Sequence, residues 1–146
     1  MKIDLSWRFC GCLLILVLST SANAAPCQDQ SGDFVLDRRE IQIRQTGCAS
    51  LSRTELLDGV VQVTDNIILD GKYRQLPSMP DFLVAFTFDD AYRVCNAKVK
   101  KTNKLIAIFN SGISEGGDWM QQTIKFDDQG NVILTKTDTW RRKGGQ

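Results

Sequence analysis

Short segments of residues that favour β-structure, each ended by turn residues, run through most of the chain. Residues 40–45 (EIQIRQ) alternate polar and apolar with a period of two and are followed by Thr46-Gly47. In the longer segment at residues 132–140, one face would carry Val132, Leu134, Lys136 and Asp138, and the other would carry Ile133, Thr135, Thr137 and Thr139. Successive side chains of a β-strand point to opposite faces, so a period of two predicts strands with one buried face.

Ten such segments, separated by turns, predict an all-β protein. They are residues 34–36, 40–45, 60–63, 67–69, 72–74, 82–88, 92–99, 104–109, 120–126 and 132–140. Asp70-Gly71 predicts a type I′ hairpin between two of them, since both central residues of that turn need positive φ. Connections this short favour antiparallel pairing. We therefore predict an antiparallel up-and-down meander closed into a small barrel, with a β-sandwich as the alternative, because both remove exposed strand edges.

Residues 51–59 fit two structures. Ser52 and Glu55 match a capping box and Gly59 matches a helix C′ residue, which together predict one short helix. The same stretch also fits a strand that returns from the turn at Gly47-Cys48 and pairs with residues 40–45, with Leu51, Arg53 and Glu55 on one face. We favour the strand because the neighbouring segments are strands, and the short helix stays the alternative.

The N-terminus has the order of a secretory signal peptide. Lys2 and Arg8 form a positive region, residues 13–18 (LLILVL) form an apolar region too short to span a bilayer, and Ala22-Asn23-Ala24 fits a signal-peptidase site. We predict a signal peptide over residues 1–24, and a single all-β domain over residues 25–146. No membrane span is expected after the signal is removed. The expected location is the periplasm or the secreted medium.

Charge and composition exclude several functions. The chain has 18 Lys and Arg against 17 Asp and Glu, and the signal contains Lys2, Arg8 and Asp4, so 16 of each remain. Such a balance gives no electrostatic reason to expect nucleic-acid binding. Arg141-Arg142-Lys143 near the C-terminus is most simply a solvated end. The chain contains no histidine, which rules out the usual nucleophile–histidine catalytic sites and the commonest metal ligand.

Three cysteines remain after the signal is removed, which allows one bridge and one free thiol. We predict a Cys27–Cys48 disulfide that ties the N-terminal segment to the first hairpin. Cys95 lies within a predicted strand, and we expect it to be a small buried side chain. The cysteines lack the spacing of a zinc or redox motif.

The acidic pairs Asp89-Asp90 and Asp127-Asp128 lie where turns are expected, a position that aspartate favours. No glycine-rich phosphate loop is present, and residues 111–118 are expected to form a flexible loop. We therefore expect no enzyme activity, no cofactor and no metal.

The aromatic residues have two possible roles. On composition we expect them to fill the core of the barrel. The alternative is a cavity lined by Phe82, Phe86, Phe109 and Trp119, which would hold an apolar ligand, since an eight-stranded barrel is just wide enough to do so.

The first half of the mature chain resembles a group of small exported bacterial proteins with lipocalin-like (calycin-like) barrels and no assigned activity. The resemblance rests on Cys27, residues 31–34 (SGDF), residues 41–48 (IQIRQTGC) and residues 69–74 (LDGKYR). Lipocalins have Gly-x-Trp on the first strand, where this chain has Gly32-Asp33-Phe34. The resemblance implies a barrel and a possible ligand cavity.

Two functions follow as expectations. The first is non-enzymatic binding of a small apolar ligand inside the barrel. The second is a protein-binding module, such as an inhibitor that blocks an extracellular hydrolase with the loop formed by residues 111–118.

Overall fold

The computed structural model describes residues 27–89 and 92–144, and all regular structure in this part of the chain is β-strand. The predicted signal peptide lies outside the described residues, as does Asp90. The strands are β1 (Gly32–Leu36), β2 (Arg39–Thr46), β3 (Ser50–Leu57), β4 (Val60–Ile68), β5 (Arg74–Leu76), β6 (Met79–Asp89), β7 (Tyr92–Val99), β8 (Leu105–Ile113), β9 (Trp119–Phe126) and β10 (Val132–Arg142).

The ten strands form one antiparallel meander in the order β4-β3-β2-β1-β10-β9-β8-β7-β6-β5. The first strand pairs with the last, Phe34 opposite Arg142 and Val35 opposite Arg141, which bends the sheet round on itself. The two strands at the ends of this order, β4 and β5, touch without forming a hydrogen-bonded ladder. The result is the predicted barrel, nearly closed. It has one seam, the line between β4 and β5 where no backbone ladder forms.

The ambiguous stretch at residues 51–59 is a strand. β3 pairs with β2 from Arg39 opposite Leu57 to Thr46 opposite Ser50. The favoured strand is therefore confirmed and the alternative of a short helix is wrong, so the capping-box pattern at Ser52 and Glu55 has no structural counterpart. Tertiary pairing decides the outcome, because a helix of under two turns has little stability of its own.

The predicted hairpin at Asp70-Gly71 is wrong, although another Asp-Gly dipeptide, Asp58-Gly59, forms a hairpin turn. Asp58 and Gly59 have φ of +51° and +76° and join β3 to β4 in a tight turn. Asp70-Gly71 instead lies at the seam, where the Gly71 N–H donates to the Phe86 carbonyl at 2.9 Å. The predicted strand 60–63 and the first two residues of the predicted strand 67–69 belong to the single strand β4, which ends at Ile68.

The N-terminal segment crosses one end of the barrel and is fixed there by side-chain hydrogen bonds. Gln28 donates to the Ile113 carbonyl at 3.1 Å and accepts from the Ile113 N–H at 2.7 Å. On the other side, Gln45 of β2 donates to the Gln28 carbonyl at 3.1 Å. The segment therefore closes the barrel end at which β2 and β8 finish.

The predicted disulfide is confirmed. Cys27 and Cys48 are bonded, with their Cα atoms 5.6 Å apart and a sequence separation of 21. Cys95 is free and buried, as expected. The disulfide links the N-terminal segment to the turn between β2 and β3, so it supports the closed end of the barrel.

Replacing Cys27 and Cys48 together with serine should lower the free energy of unfolding by about 3 kcal/mol, because the bridge limits the freedom of a loop of this length in the unfolded chain. Urea unfolding of oxidised wild type and the double variant measures the difference. Reductant should lower wild-type stability by a similar amount and leave the variant unchanged. Equal stability of the two oxidised proteins would contradict the prediction.

Candidate ligand-binding cavity

A cavity of about 180 Å³ lies inside the barrel. Its lining residues come from β3 on one side of the seam and from β5, β6, β7, β8 and β9 on the other. The apolar lining consists of Leu76, Met79, Phe86, Cys95 and Phe109, and the polar lining consists of Arg53, Glu55, Arg93, Ser111 and Gln121. The interior is thus partly empty and partly polar, whereas composition alone had favoured a filled core.

The structure separates the four aromatic residues proposed from sequence to line a cavity. Phe86 and Phe109 both line it, on either side of Cys95, which pairs with each of them. Trp119 is completely buried but belongs to the closed end of the barrel. Phe82 lies on the same strand face as Phe86 but four residues away, a separation of about 13 Å along a strand, and it is half-buried.

Closely spaced charged side chains bridge the seam of the barrel beside the cavity. Asp65 of β4 is completely buried, and its carboxylate accepts a hydrogen bond from Arg53 at 3.2 Å. It also accepts from the Ser78 N–H at 3.0 Å and, through a shorter contact, from the Ser78 hydroxyl. Ser78 lies between β5 and β6, so Asp65 supplies across the seam the hydrogen bonds that a backbone ladder supplies elsewhere in the sheet.

Glu55 completes this group of charges. Arg53 contacts it at 3.0 Å, and Arg39 of the neighbouring strand β2 lies 3.8 Å away. Arg53 therefore binds two carboxylates, and Glu55 is shared between two guanidinium groups. Its side chain is 26% exposed, so this end of the group reaches water.

Arg93 differs from the other interior charges because none of the described carboxylates lies within 4 Å of it. It is 3% exposed, and its Nη1 has no hydrogen-bond partner among the described residues. Its guanidinium carbon lies 6.0 Å from the centroid of the Phe86 ring and 5.9 Å from that of Trp119. Burial, followed by repulsion from Arg53, lowers the pKa of Arg93 to about 9, so the group is still positively charged at pH 7.

The closed end of the cavity contains a buried hydrogen-bond network centred on Gln30. The Gln30 side chain donates to the Ser111 carbonyl at 2.8 Å, and its oxygen accepts from the Ser111 hydroxyl and from Trp119 Nε1, each at 3.1 Å. Both hydrogen-bonding groups of this buried amide are therefore satisfied. The network fixes Trp119, one of the two rings beside Arg93.

Cys95 is unsuited to thiol chemistry. Burial is the main cause that raises the pKa of this thiol to about 12, so the reactive thiolate is scarce at neutral pH. Cys95 acts as a small apolar part of the cavity wall.

Two sequence-based expectations about surface segments are wrong. Residues 111–113 belong to β8, and only residues 114–118 form a turn, held by Gly117 N–H to Ser114 carbonyl at 2.9 Å and Ser114 N–H to Asp118 carbonyl at 2.8 Å. The expected flexible loop is therefore a tight hairpin connection.

The second wrong expectation concerns Arg142, which packs against the barrel and is not part of a solvated end. Its guanidinium lies 4.8 Å from the centroid of the Phe34 ring and donates to the Ser31 and Gly117 carbonyls at 3.2 and 2.9 Å. This interaction closes the sheet where β1 meets β10.

The acidic turn residue Asp127 behaves as expected. Its carboxylate accepts from Asn131 Nδ2 at 3.0 Å and from the N–H groups of Gln129 and Asn131 at 2.9 and 2.8 Å, and these bonds, led by the one from the Asn131 side chain, lower its pKa. Asp89 is the last residue of β6. Within residues 27–89 and 92–144, no three His, Cys, Asp or Glu side chains are grouped so that they could hold a metal ion.

Sequence reasoning missed the two interior arginines as site residues. The signal was present, because Arg93, Cys95, Ala97 and Val99 occupy one face of β7, and a charged residue in an otherwise apolar face is unusual. Arg53 likewise shares the inward face of β3 with Leu51.

These features define a small antiparallel β-barrel that is closed at one end and contains a cavity, in whose wall the buried Arg93 has no carboxylate within 4 Å among the described residues. No family model, curated protein or solved structure matches the chain. The described residues include no helix long and apolar enough to cross a membrane.

Proposed function

We propose that this protein is an exported, non-enzymatic binding protein that holds a small, largely apolar ligand inside its barrel. The observation that supports the proposal best is the cavity of about 180 Å³ among Leu76, Met79, Phe86 and Phe109. A cavity of about 150 Å³ is known to hold benzene, so the space suits a ligand of roughly six to ten non-hydrogen atoms.

The lining of the cavity favours ligand binding. Five polar or charged side chains line it beside five apolar ones. Ligand sites typically combine apolar walls with a few placed polar groups that fix the orientation of the ligand.

Export is supported by two independent features. The N-terminal residues have the order of a signal peptide. The Cys27–Cys48 disulfide fits an oxidising compartment, where such bonds persist. We place the mature protein in the periplasm or the secreted medium. The alternative of a protein-binding inhibitor has less support, because the loop proposed for it is a tight turn.

The test is a titration of the purified protein with benzene, hexan-1-ol and hexanoate, followed by tryptophan fluorescence and calorimetry. At least one of the three should bind saturably with a stoichiometry of one. Cys95→Phe should abolish that binding, because the new ring points between Phe86 and Phe109 and fills the cavity.

The matched control is Asn96→Phe, which places the same ring on the outer face of the same strand and should leave binding unchanged. Failure of all three compounds to bind wild type would overturn the proposal. Equal binding by Cys95→Phe and wild type would show that the ligand binds somewhere else.

A further inference from the structure

We propose that the ligand carries a single negative charge, a carboxylate, which binds to the guanidinium group of Arg93 at the inner end of the cavity. This inference rests on the proposed function and specifies the chemical class of its ligand. It begins from one observation: a buried guanidinium lines an empty space and has an Nη1 with no partner among the described residues.

The pairing of the charges beside the cavity supports an anionic ligand. Arg53 contacts both Glu55 and Asp65, and Arg39, which is 56% exposed at the rim, also contacts Glu55. Among the described residues no carboxylate lies within 4 Å of Arg93. A buried charge without such a partner is costly unless an opposite charge joins it, and a ligand with one negative charge would supply that partner.

The surroundings of Arg93 indicate what kind of anion fits. The rings of Phe86 and Trp119 flank its guanidinium, and the face of an aromatic ring donates no hydrogen bond. An anion with more than one or two charged oxygens would therefore find no further donors on these two rings. Ser111, which is opposite Arg93 on β8, and Gln121 are neutral lining residues. The other lining guanidinium, that of Arg53, is already paired with Glu55 and Asp65. A planar carboxylate needs only the one guanidinium fork of Arg93, whereas a phosphate with two charges would need a further free cation.

The remaining walls would take the apolar part of the ligand. Phe109, Leu76 and Met79 extend the cavity away from Arg93. Methionine adapts its shape to what it contacts, which suits a flexible chain. The volume limits the ligand to a short carboxylic acid, of about six to ten non-hydrogen atoms in all.

The decisive comparison uses hexanoate and hexan-1-ol, which share a six-carbon chain and differ in charge. We expect wild type to bind hexanoate about tenfold more tightly than hexan-1-ol at pH 7, because hydrogen bonds between charged groups are stronger than those to a neutral hydroxyl. In Arg93→Met, hexanoate affinity should fall about 10- to 100-fold, and the order of the two ligands should reverse.

The variant also separates a binding role from a structural one. If Arg93 serves ligand binding and not stability, Arg93→Met removes a buried charge that has no carboxylate partner among the described residues. The urea midpoint of the ligand-free protein should then stay the same or rise. Arg93→Lys keeps the positive charge but lacks the forked guanidinium group. Its hexanoate affinity should therefore lie between that of wild type and that of Arg93→Met. Arg38→Met, at an exposed guanidinium in a hairpin turn, is the matched control and should bind like wild type.

The outcomes distinguish this inference from the proposed function. If neither compound nor benzene binds, the proposed function fails and the inference fails with it. If hexan-1-ol binds wild type as tightly as hexanoate, the cavity is a ligand site but the carboxylate inference is wrong. The wild-type comparison gives this answer even if Arg93→Met does not fold. Retention of the hexanoate preference in a folded Arg93→Met would also overturn the inference.

Discussion

Replacing Asp65 with alanine will lower the free energy of unfolding by about 3–5 kcal/mol, among the largest effects of any single substitution in this barrel. The carboxylate is completely buried, and it accepts hydrogen bonds from Arg53 and from both the backbone and the hydroxyl of Ser78. Its removal leaves Glu55 as the one described carboxylate paired with Arg53, beside a longer hydrogen bond from Arg53 to the Ser78 hydroxyl at 3.4 Å, and it removes the hydrogen bonds that join β4 to the β5–β6 turn. The seam therefore loses its main polar connection.

Urea unfolding followed by far-ultraviolet circular dichroism measures this loss. Arg38→Ala is the control, because it breaks a carboxylate–guanidinium pair that is exposed, and such pairs contribute about 0–1 kcal/mol. Adding Arg53→Met to Asp65→Ala should recover part of the loss, since the poorly compensated charge is removed as well. A loss below about 1 kcal/mol for Asp65→Ala would show that the barrel does not depend on this connection at its seam.

The strands could be predicted from sequence because the segments are rich in residues that favour β-structure and are separated by turns. The period of two at residues 40–45 corresponds to β2, in which Ile41 and Ile43 are buried, and the short turns force an antiparallel meander. Closure could be expected in general terms, because it removes strand edges. Which strands would remain unpaired could not be predicted, because the contacts at the seam are between residues distant in sequence.

The two Asp-Gly dipeptides show this limit most clearly. Asp58-Gly59 and Asp70-Gly71 have the same local preference for positive φ, yet only the first forms a two-residue hairpin. At Asp70 the carboxylate accepts from the Lys72 N–H at 3.0 Å and from Arg74 at 2.6 Å, which stabilises a different turn. Local propensity offers both outcomes, and pairing with β6 decides between them.

The site was harder to predict than the fold. Phe86 and Phe109 could be proposed for the cavity because large aromatic side chains on strands usually lie in the interior, where they either fill the core or line a cavity. The inward direction of Arg93 could be predicted, because it shares one face of its strand with Cys95, Ala97 and Val99. What could not be predicted is that the carboxylates beside the cavity pair with Arg53 and none of the described ones with Arg93, because these contacts join different strands.

Trp119 explains how the closed end of the barrel and the cavity depend on each other. Its ring lies 6.3 Å from that of Phe34 and 6.0 Å from that of Trp140, measured between centroids, and it also flanks Arg93. Phe34 is covered in turn by Arg142. The same residue thus connects the closure between β1 and β10, the Gln30 network and the proposed binding group.

Trp119→Ala should lower the free energy of unfolding by about 3–5 kcal/mol, as large deletions in a packed core do. Trp119→Phe should cost less, because Phe keeps much of the buried area and Gln30 still accepts a hydrogen bond from Ser111. Urea unfolding gives both values. Tyr92→Ala, at an aromatic residue that is 60% exposed, is the control and should change stability by less than about 0.5 kcal/mol.

The two Trp119 variants also test how the closed end supports the site. Trp119→Phe keeps a ring beside Arg93 but loses the Nε1 hydrogen bond to Gln30, so a drop in hexanoate affinity in this variant would measure how far the network positions the guanidinium. Trp119→Ala should weaken hexanoate binding more than Trp119→Phe, because Arg93 gains room to turn away from the cavity. Full stability in Trp119→Ala would contradict the role of this ring in the core, since a completely buried indole cannot be lost from a close-packed interior without cost.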